Sequence, residues 1–461
     1  MLQRSDPRRR LWREEVRATL ALAWPLILTN VAQALIHATD VVLLGWAGAP
    51  TLAAGTLGVN VYFIFLIFGI GLVTAASPMI AREIGERAHS VRDVRRTVRQ
   101  AMWAAIAYSL PVWAVLWNSG AILVAMGQDP GLAEAAQGFV RAIMWGMLPY
   151  LFYLILRSFI AGLERPLWSL VVGLVAVVYN GVVNYGLIFG KLGLPELGLV
   201  GAGLGSASAN LLMFLGMALV VTRHPRFRRY RLFGRFWRGD RQRFREVWRL
   251  GLPIAVTLAL EIGVFAGAVF LMGFIGAESI AAHAVAIQIA ALAFMVPMGL
   301  GQAVTVRVGL AFGRGDPEAV GRAGWTAFVL GVGFMACTAL LMWTIPHQLV
   351  GLFLDPADPA NAKVVPLAVS FLAVAAFFQV FDGAQAVGAG MLRGLQDTRV
   401  PMIYAALGYW AVGLSLGVAL AFGLGWQGLG VWIGLAAGLA SVAALMLARW
   451  LRRERLGLIA P

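Results

Sequence analysis

ATLALAWPLILTNVAQALIHATDVVLLGW, residues 18–46, is an apolar run with a single formal charge, Asp40, buried in it. About 20 apolar residues cross the roughly 30 Å of a bilayer's hydrocarbon, so this run is long enough to span. A carboxylate at that depth costs about 3 kcal/mol or more, which makes it a functional-site candidate by default. The pattern recurs. Glu261 sits in the apolar run 248–275 and Asp382 in the run 364–391. Three acids inside spans, in a chain that otherwise keeps its acids in loops, point to the handling of an ion or an organic cation.

The composition agrees. The 461 residues are 60% hydrophobic and 13% charged, where a soluble protein carries about 25% charged residues. The chain therefore reads as an all-α polytopic membrane protein. Twelve spans are predicted, at about 18–46, 52–80, 98–126, 139–162, 167–190, 198–222, 248–275, 279–311, 322–353, 364–391, 400–424 and 427–451. Several exceed what a perpendicular crossing needs, so tilt, or helix reaching into water, is expected. The 54 glycines suit close helix packing in lipid. The one cysteine, Cys337, excludes a disulfide within the chain and a cysteine metal site, and is expected as a small buried core residue. The N-terminus is basic (Arg4, Arg8, Arg9, Arg10, Arg13), but the apolar run after it is too long for a signal peptide and shows no cleavage site. It reads as a retained first span.

A net charge of +15 invites a nucleic-acid reading. Placement argues against one. Of the 37 Lys and Arg residues, all but Arg141, Lys191 and Lys363 fall on one side of the predicted spans. The positive-inside rule makes that side the cytoplasm and puts both termini there. The arginine-rich stretch 223–249 becomes a cytoplasmic linker and topology determinant that also meets anionic lipid. The arginine-rich, lysine-poor usage suggests a bacterial chain, and hence the inner membrane.

The chain also aligns with itself at a shift of 228 residues. Trp24-Pro25 pairs with Leu252-Pro253, Ala53-Ala54 with Ala281-Ala282, Asn60 with Gln288, Gly71 with Gly299 and Gly85 with Gly313. Residues 1–222 and 248–461 then form two six-helix bundles, joined by the linker 223–247. Each copy has an even number of spans, so the copies share an orientation and a pseudo-two-fold axis normal to the membrane. The repeat breaks at its polar positions. Gln33 pairs with Glu261, and Asp40 with Ala268.

On span 1, Asn30, Gln33, His37 and Asp40 fall on one helical face. On span 5, Asn180 and Asn184 are one turn apart. A carboxylate with two amides can hold a proton, a cation or an ammonium group. On span 10, Asp382 lies between Gln379 and Gln385. If Asp382 and Glu261 converge, two like charges in low dielectric cannot both stay ionised unaided. Either a cation such as Na⁺ lies between them or one keeps a proton, and any titration belongs to the pair. Phe378, one turn before Asp382, is placed to face a bound cation. His283, near the start of span 8, is a candidate pH-sensitive group. Pro25 and Pro253, at matching repeat positions, permit a bend or set a static kink.

What is missing narrows the classes. There is no phosphate-binding glycine loop followed by Lys-Ser/Thr, no HExxH and no Gly-x-Ser-x-Gly, and no soluble stretch is long enough to house catalysis. The chain is not expected to be an enzyme or to need a cofactor.

Several runs carry a resemblance. LALAWPLILTNVAQ with ATDVVLLGWAG in span 1, AAHAVAIQI at 281–289, MGLGQAVTVRVG at 298–309 and above all FDGAQAVGAGMLRGLQDTRVPM at 381–402 resemble the multidrug and toxic compound extrusion (MATE) transporters, NorM-like branch. The resemblance spans about residues 15–450. It implies a pair of six-helix bundles that exports cationic, amphipathic drugs or toxic organic compounds in exchange for Na⁺ or H⁺, with antibiotic resistance as the outcome. It implies a cation site at Glu261 and Asp382 in the C-terminal bundle. It implies a second site, for cation or substrate, at Asp40, Asn180 and Asn184 in the N-terminal bundle, with Gln33 nearby. The chain has Phe378 where some relatives carry tyrosine, and Ala284 and Gln288 where many show Gln and Asn, positions that bear on the coordination shell. The partners implied are small organic cations and the bilayer, with a monomer as the working unit. The alternative is a flippase for lipid-linked intermediates, whose cavity would need basic residues to meet phosphates.

Overall fold

The computed structural model describes residues 7–86 and 90–459. Arg4 and Arg87, counted with the basic residues above, lie outside them. Among the described residues the structure is helical throughout, with no strand. The first repeat comprises α1 (Pro7–Trp46), α2 (Ala49–Thr74), α3 (Ala76–Glu86), α4 (Ser90–Trp117), α5 (Ser119–Ala125), α6 (Pro130–Ile143), α7 (Met147–Gly162), α8 (Leu167–Phe189) and α9 (Gly198–Arg223). After the short α10 (Pro225–Arg228) come α11 (Arg241–Ile275), α12 (Ala277–Gly313), α13 (Pro317–Thr344), α14 (Pro346–Gly351) and α15 (Val364–Gly394). The chain ends with α16 (Arg399–Ala405), α17 (Ser415–Val418) and α18 (Gln427–Leu451).

Eleven of these helices or helix runs are long and apolar enough to cross a membrane, and a twelfth crossing is made if α4 and α5, bent by 57° at Asn118, are taken together. The third span, predicted as one run over 98–126, is thus broken. Large apolar side chains such as Val178, Phe270 and Phe274 are exposed, as expected of helices whose surroundings are not water alone. Cys337 corrects an expectation. It is exposed on α13 rather than buried in the core, because hydropathy alone does not separate a face turned to lipid from one turned to protein.

Local chemistry sets the boundaries. Asp129 and Asp316 accept hydrogen bonds from Leu132 N (3.0 Å) and Ala319 N (2.9 Å), capping α6 and α13, each with proline at the first helical position. Between α1 and α2 stands Gly48 with φ 112°, and between α11 and α12 stands Gly276 with φ 149°. These are repeat mates, and only glycine takes that backbone without strain. The sharp reversal after the first helix is therefore written twice in the chain.

By mutual contacts the chain divides into two units. One comprises Met1–Ile27 and Val256–Pro461, and the other Leu28–Ala255. In the first, α15 packs against α12, α13 and α18; in the second, α9 packs against α6, α7 and α8. The division falls within α1 just past Pro25 and within α11 just past Pro253. The opening segment of each long helix therefore groups with the other repeat. The arginine-rich linker is strapped to its own unit. Arg99, Gln100 and Trp103 of α4 donate to the carbonyls of Arg235 (2.8 Å), Arg238 (3.2 Å) and Phe236 (3.1 Å). Phe227 and Tyr230 pack edge-on against Phe159 at 6.0 and 5.0 Å.

Candidate functional site

Each unit holds a polar cluster built on an acid that the sequence singles out. In the unit Leu28–Ala255 the cluster is built on Asp40 of α1. Asn184 Nδ2 donates to Asp40 Oδ1 at 2.6 Å, and Ser206 Oγ donates to Asp40 Oδ2 at 2.8 Å. Asn180, one turn before Asn184 on α8, reaches Ser206 Oγ with its Nδ2 at 3.4 Å. The two asparagines are fully buried. Their Oδ1 atoms have no hydrogen-bond partner among the described residues. A carboxylate and two unpartnered amide oxygens in one buried place offer the oxygen ligands that a hard cation takes. Gly205 makes the arrangement possible, because a Cβ there would stand 1.6 Å from Asn184 Oδ1.

The rest of the span 1 face is shared out among other partners. Asn30 Oδ1 accepts from Arg157 Nη2 at 2.8 Å, and Gln33 interacts with Tyr153. His37 is exposed. Gln33 therefore does not join the Asp40 cluster. Ser206 does, and sequence reading missed it. Its only signal was a hydroxyl within the small-residue run GAGLGSASAN of span 6.

In the other unit, α11 and α15 bring Glu261 and Asp382 within electrostatic reach of each other. Asp382 is 6% exposed and its Oδ1 has no hydrogen-bond partner among the described residues. Gln385, one turn on, faces Glu261 and donates from Nε2 to Tyr409 Oη at 2.6 Å. Tyr409 lies in Ala406–Leu414, a π-helical stretch. Such wider turns inside α-helices are frequent at functional sites. The charge of Arg393 interacts with that of Glu261. Arg393 stands 11 residues past Asp382 on α15, three turns along the same face. Neither Tyr409 nor Arg393 was anticipated. Arg393 had a readable signal in that spacing, and Tyr409 had none.

The neighbouring candidates lie beside this cluster. Gln379 Nε2 donates to Thr338 Oγ1 at 2.8 Å and to Met335 O at 3.2 Å, which fixes α15 against α13. Phe378 is buried edge-on between Phe265 (5.9 Å) and Trp432 (5.5 Å). His283 is buried with its ring 5.3 Å from that of Trp432. These rings pack on one another about Trp432 and Phe378. Among the described residues no group of three or more His, Cys, Asp and Glu side chains gathers as metal ligands. A cation here would be held by two carboxylates with amide and phenol oxygens, a set that fits Na⁺ and equally fits a shared proton.

The MatE family model matches residues 25–186 and again residues 253–419. The two matches begin at repeat mates, Pro25 and Pro253. The chain is 61% identical over 446 residues to a probable multidrug resistance protein NorM of Mesorhizobium japonicum, covering 97% of this chain and 96% of that one. It is 54% identical over 441 residues to a probable multidrug resistance protein NorM of Brucella suis, covering 96% and 94%. The crystal structure of the eukaryotic MATE transporter AtDTX14 superposes with a TM-score of 0.85 at 19% identity, over 97% of this chain and 98% of that one. At that identity the last likeness speaks for the fold alone.

Proposed function

Because this chain belongs to the MatE family, whose members are transporters rather than enzymes, we infer that it is a multidrug exporter working as a secondary antiporter. It moves cationic, amphipathic organic compounds outward in exchange for Na⁺ or H⁺. It works as a monomer in a bacterial inner membrane with both termini in the cytoplasm. The observation that carries this reading is the buried Asp382, with one oxygen left without a partner and the half-buried Glu261 within electrostatic reach.

An unpaired buried carboxylate is costly unless it takes a proton or a cation. Gln385, oriented by Tyr409, positions an amide at Glu261, and Arg393 offsets part of the negative charge. One net negative charge then remains for an incoming ion to neutralise. The Asp40 cluster is a second place where an organic cation or the coupling ion is held. A ligand shifts the conformational balance only by its differential affinity for the two states, so ion and drug must prefer different ones. The residue bounds 1–222, 223–247 and 248–461 describe the two bundles and their linker in this scheme.

A flippase for lipid-linked intermediates would need basic groups facing a phosphate. Arg157, which donates to Asn30 on the helix of Asp40, and Arg393, whose charge interacts with Glu261, are both engaged by protein groups. That favours a cationic cargo.

The test is uptake of a fluorescent organic cation into liposomes under separately imposed Na⁺ and pH gradients, with Asp382→Asn as the control. Transport driven by one gradient and lost in a folded Asp382→Asn protein is expected. Full coupled export by that variant would sink the assignment.

A further inference from the structure

Glu15, near the start of α1, is buried against Arg307 of α12. Arg307 Nε lies 2.8 Å from Glu15 Oε1 and Nη2 lies 2.6 Å from Oε2, the two-pronged geometry that makes Arg–carboxylate pairs strong and directional. Thr19 Oγ1 donates to the same carboxylate at 3.4 Å. Both residues belong to the unit Met1–Ile27 with Val256–Pro461. In the other unit, Glu83 of α3 is buried against Arg243 of α11. Thr97 Oγ1 donates to Glu83 Oε1 at 2.6 Å. The charges around this second pair include Asp93, 3.0 Å from Arg243 Nη2, Asp240, 3.7 Å from its Nε, Arg96, 2.6 Å from Asp240, and Glu246, whose charge acts on Arg243.

The two pairs are related by the internal repeat. Glu15 and Arg243 are mates at the shift of 228, and Arg307 stands one helical turn before Ala311, the mate of Glu83. In each case the first helix of one repeat is tied to the second span of the other, at the same place and with the charges reversed. Each tie is on the helix that carries an acid of the candidate sites. Along α1 the order is Glu15, Pro25, Asp40, and along α11 it is Arg243, Pro253, Glu261. A proline lies between tie and acid both times, where the helix lacks one backbone hydrogen bond and bends at least cost.

We propose that Glu15–Arg307 and Glu83–Arg243 are the two parts of a latch that holds the opening segments of α1 and α11 in place and opens in each transport cycle. Ion or drug binding at Asp40 and Glu261 reaches the latch through the proline-interrupted helices. The opening step rests on the exporter reading, but the holding role does not. Each tie lies within one unit but joins helices of different repeats, so it fastens the opening segment of α1 or α11 to a unit other than the one that holds the rest of that helix.

The experiment measures the distance between spin labels at Arg92→Cys and Glu318→Cys, one in each unit and both exposed, in a Cys337→Ala background. Glu15→Arg and Glu83→Arg, each setting like charges against each other, should shift the ratio of the two distance populations tenfold or more. The swapped protein Glu15→Arg with Arg307→Glu should restore the parent distribution. An unchanged distribution in a folded Glu15→Arg protein overturns the latch, as does a swapped protein that stays shifted. If Glu15→Arg does not fold, the swapped protein decides alone. Restoration in the swapped protein without cation movement by the parent in liposomes would leave the latch standing and remove the exporter reading.

Discussion

Replacing Gly205 by alanine tests whether the Asp40 cluster works as built. An added Cβ would lie 1.6 Å from Asn184 Oδ1 and 2.8 Å from its Cγ. The amide must rotate away, and in doing so it gives up the 2.6 Å bond from Nδ2 to Asp40. A hydrogen bond to a charged group contributes about 1.5–3 kcal/mol. Alanine in a helix interior is favoured over glycine by about 1 kcal/mol. Propensity alone would therefore stabilise the variant, and any loss of stability must come from the site. The net expectation is a destabilisation of about 0.5–2 kcal/mol. Where the bond acts on ligand affinity, the loss is about ten- to a hundredfold. Thermal unfolding in detergent reads the first and concentration-dependent cation uptake reads the second. A double-mutant cycle removes ambiguity. Once Asn184 is alanine the clash is gone, so Gly205→Ala with Asn184→Ala should be no worse than Asn184→Ala alone. Additive losses, or parent-like transport by Gly205→Ala, would refute the argument.

Two further expectations concern the other unit. Tyr409→Phe removes the acceptor of the 2.6 Å bond from Gln385 and leaves a buried donor unpaired, at about 1–3 kcal/mol; the variant should unfold at lower temperature and change its ion dependence, and no change in either readout would count against Tyr409 as the residue that orients Gln385. Arg449→Ala breaks the 2.5 Å pair with the nearly buried Asp397 and should destabilise by about 3–5 kcal/mol, because a carboxylate is stranded. Removing Asp397 as well should recover part of that loss, and a double variant as unstable as the single one would disprove it.

The spans, the repeat and the three embedded acids were legible in the chain because they depend on local hydropathy and on helical spacing, which need no knowledge of neighbours. The same locality explains what was missed. The face bearing Asn30, Gln33, His37 and Asp40 was read as one surface. In the folded molecule it is divided among Arg157, Tyr153, the surroundings and the Asn184–Ser206 pair. Periodicity places residues on a face but does not say which helix that face meets. The break between α4 and α5 falls at Asn118-Ser119-Gly120, a polar step too short to interrupt the apolar average over a span. Cys337 looked like core because its segment is apolar, and it faces outward.

The sequence by itself determined that the protein lives in a membrane, that it is built twice over from one plan, and that acids are buried where lipid would exclude them. Hydrophobic length, a fixed shift and the cost of a charge in low dielectric suffice for that. Only the tertiary structure decided that Ser206 completes the Asp40 cluster, that Tyr409 and Arg393 interact with Glu261, and that α1 and α11 each begin in contact with the opposite repeat. Those facts depend on how helices far apart in the chain cross. The crossing is set by the packing of whole faces, of which no single stretch of sequence holds more than one side.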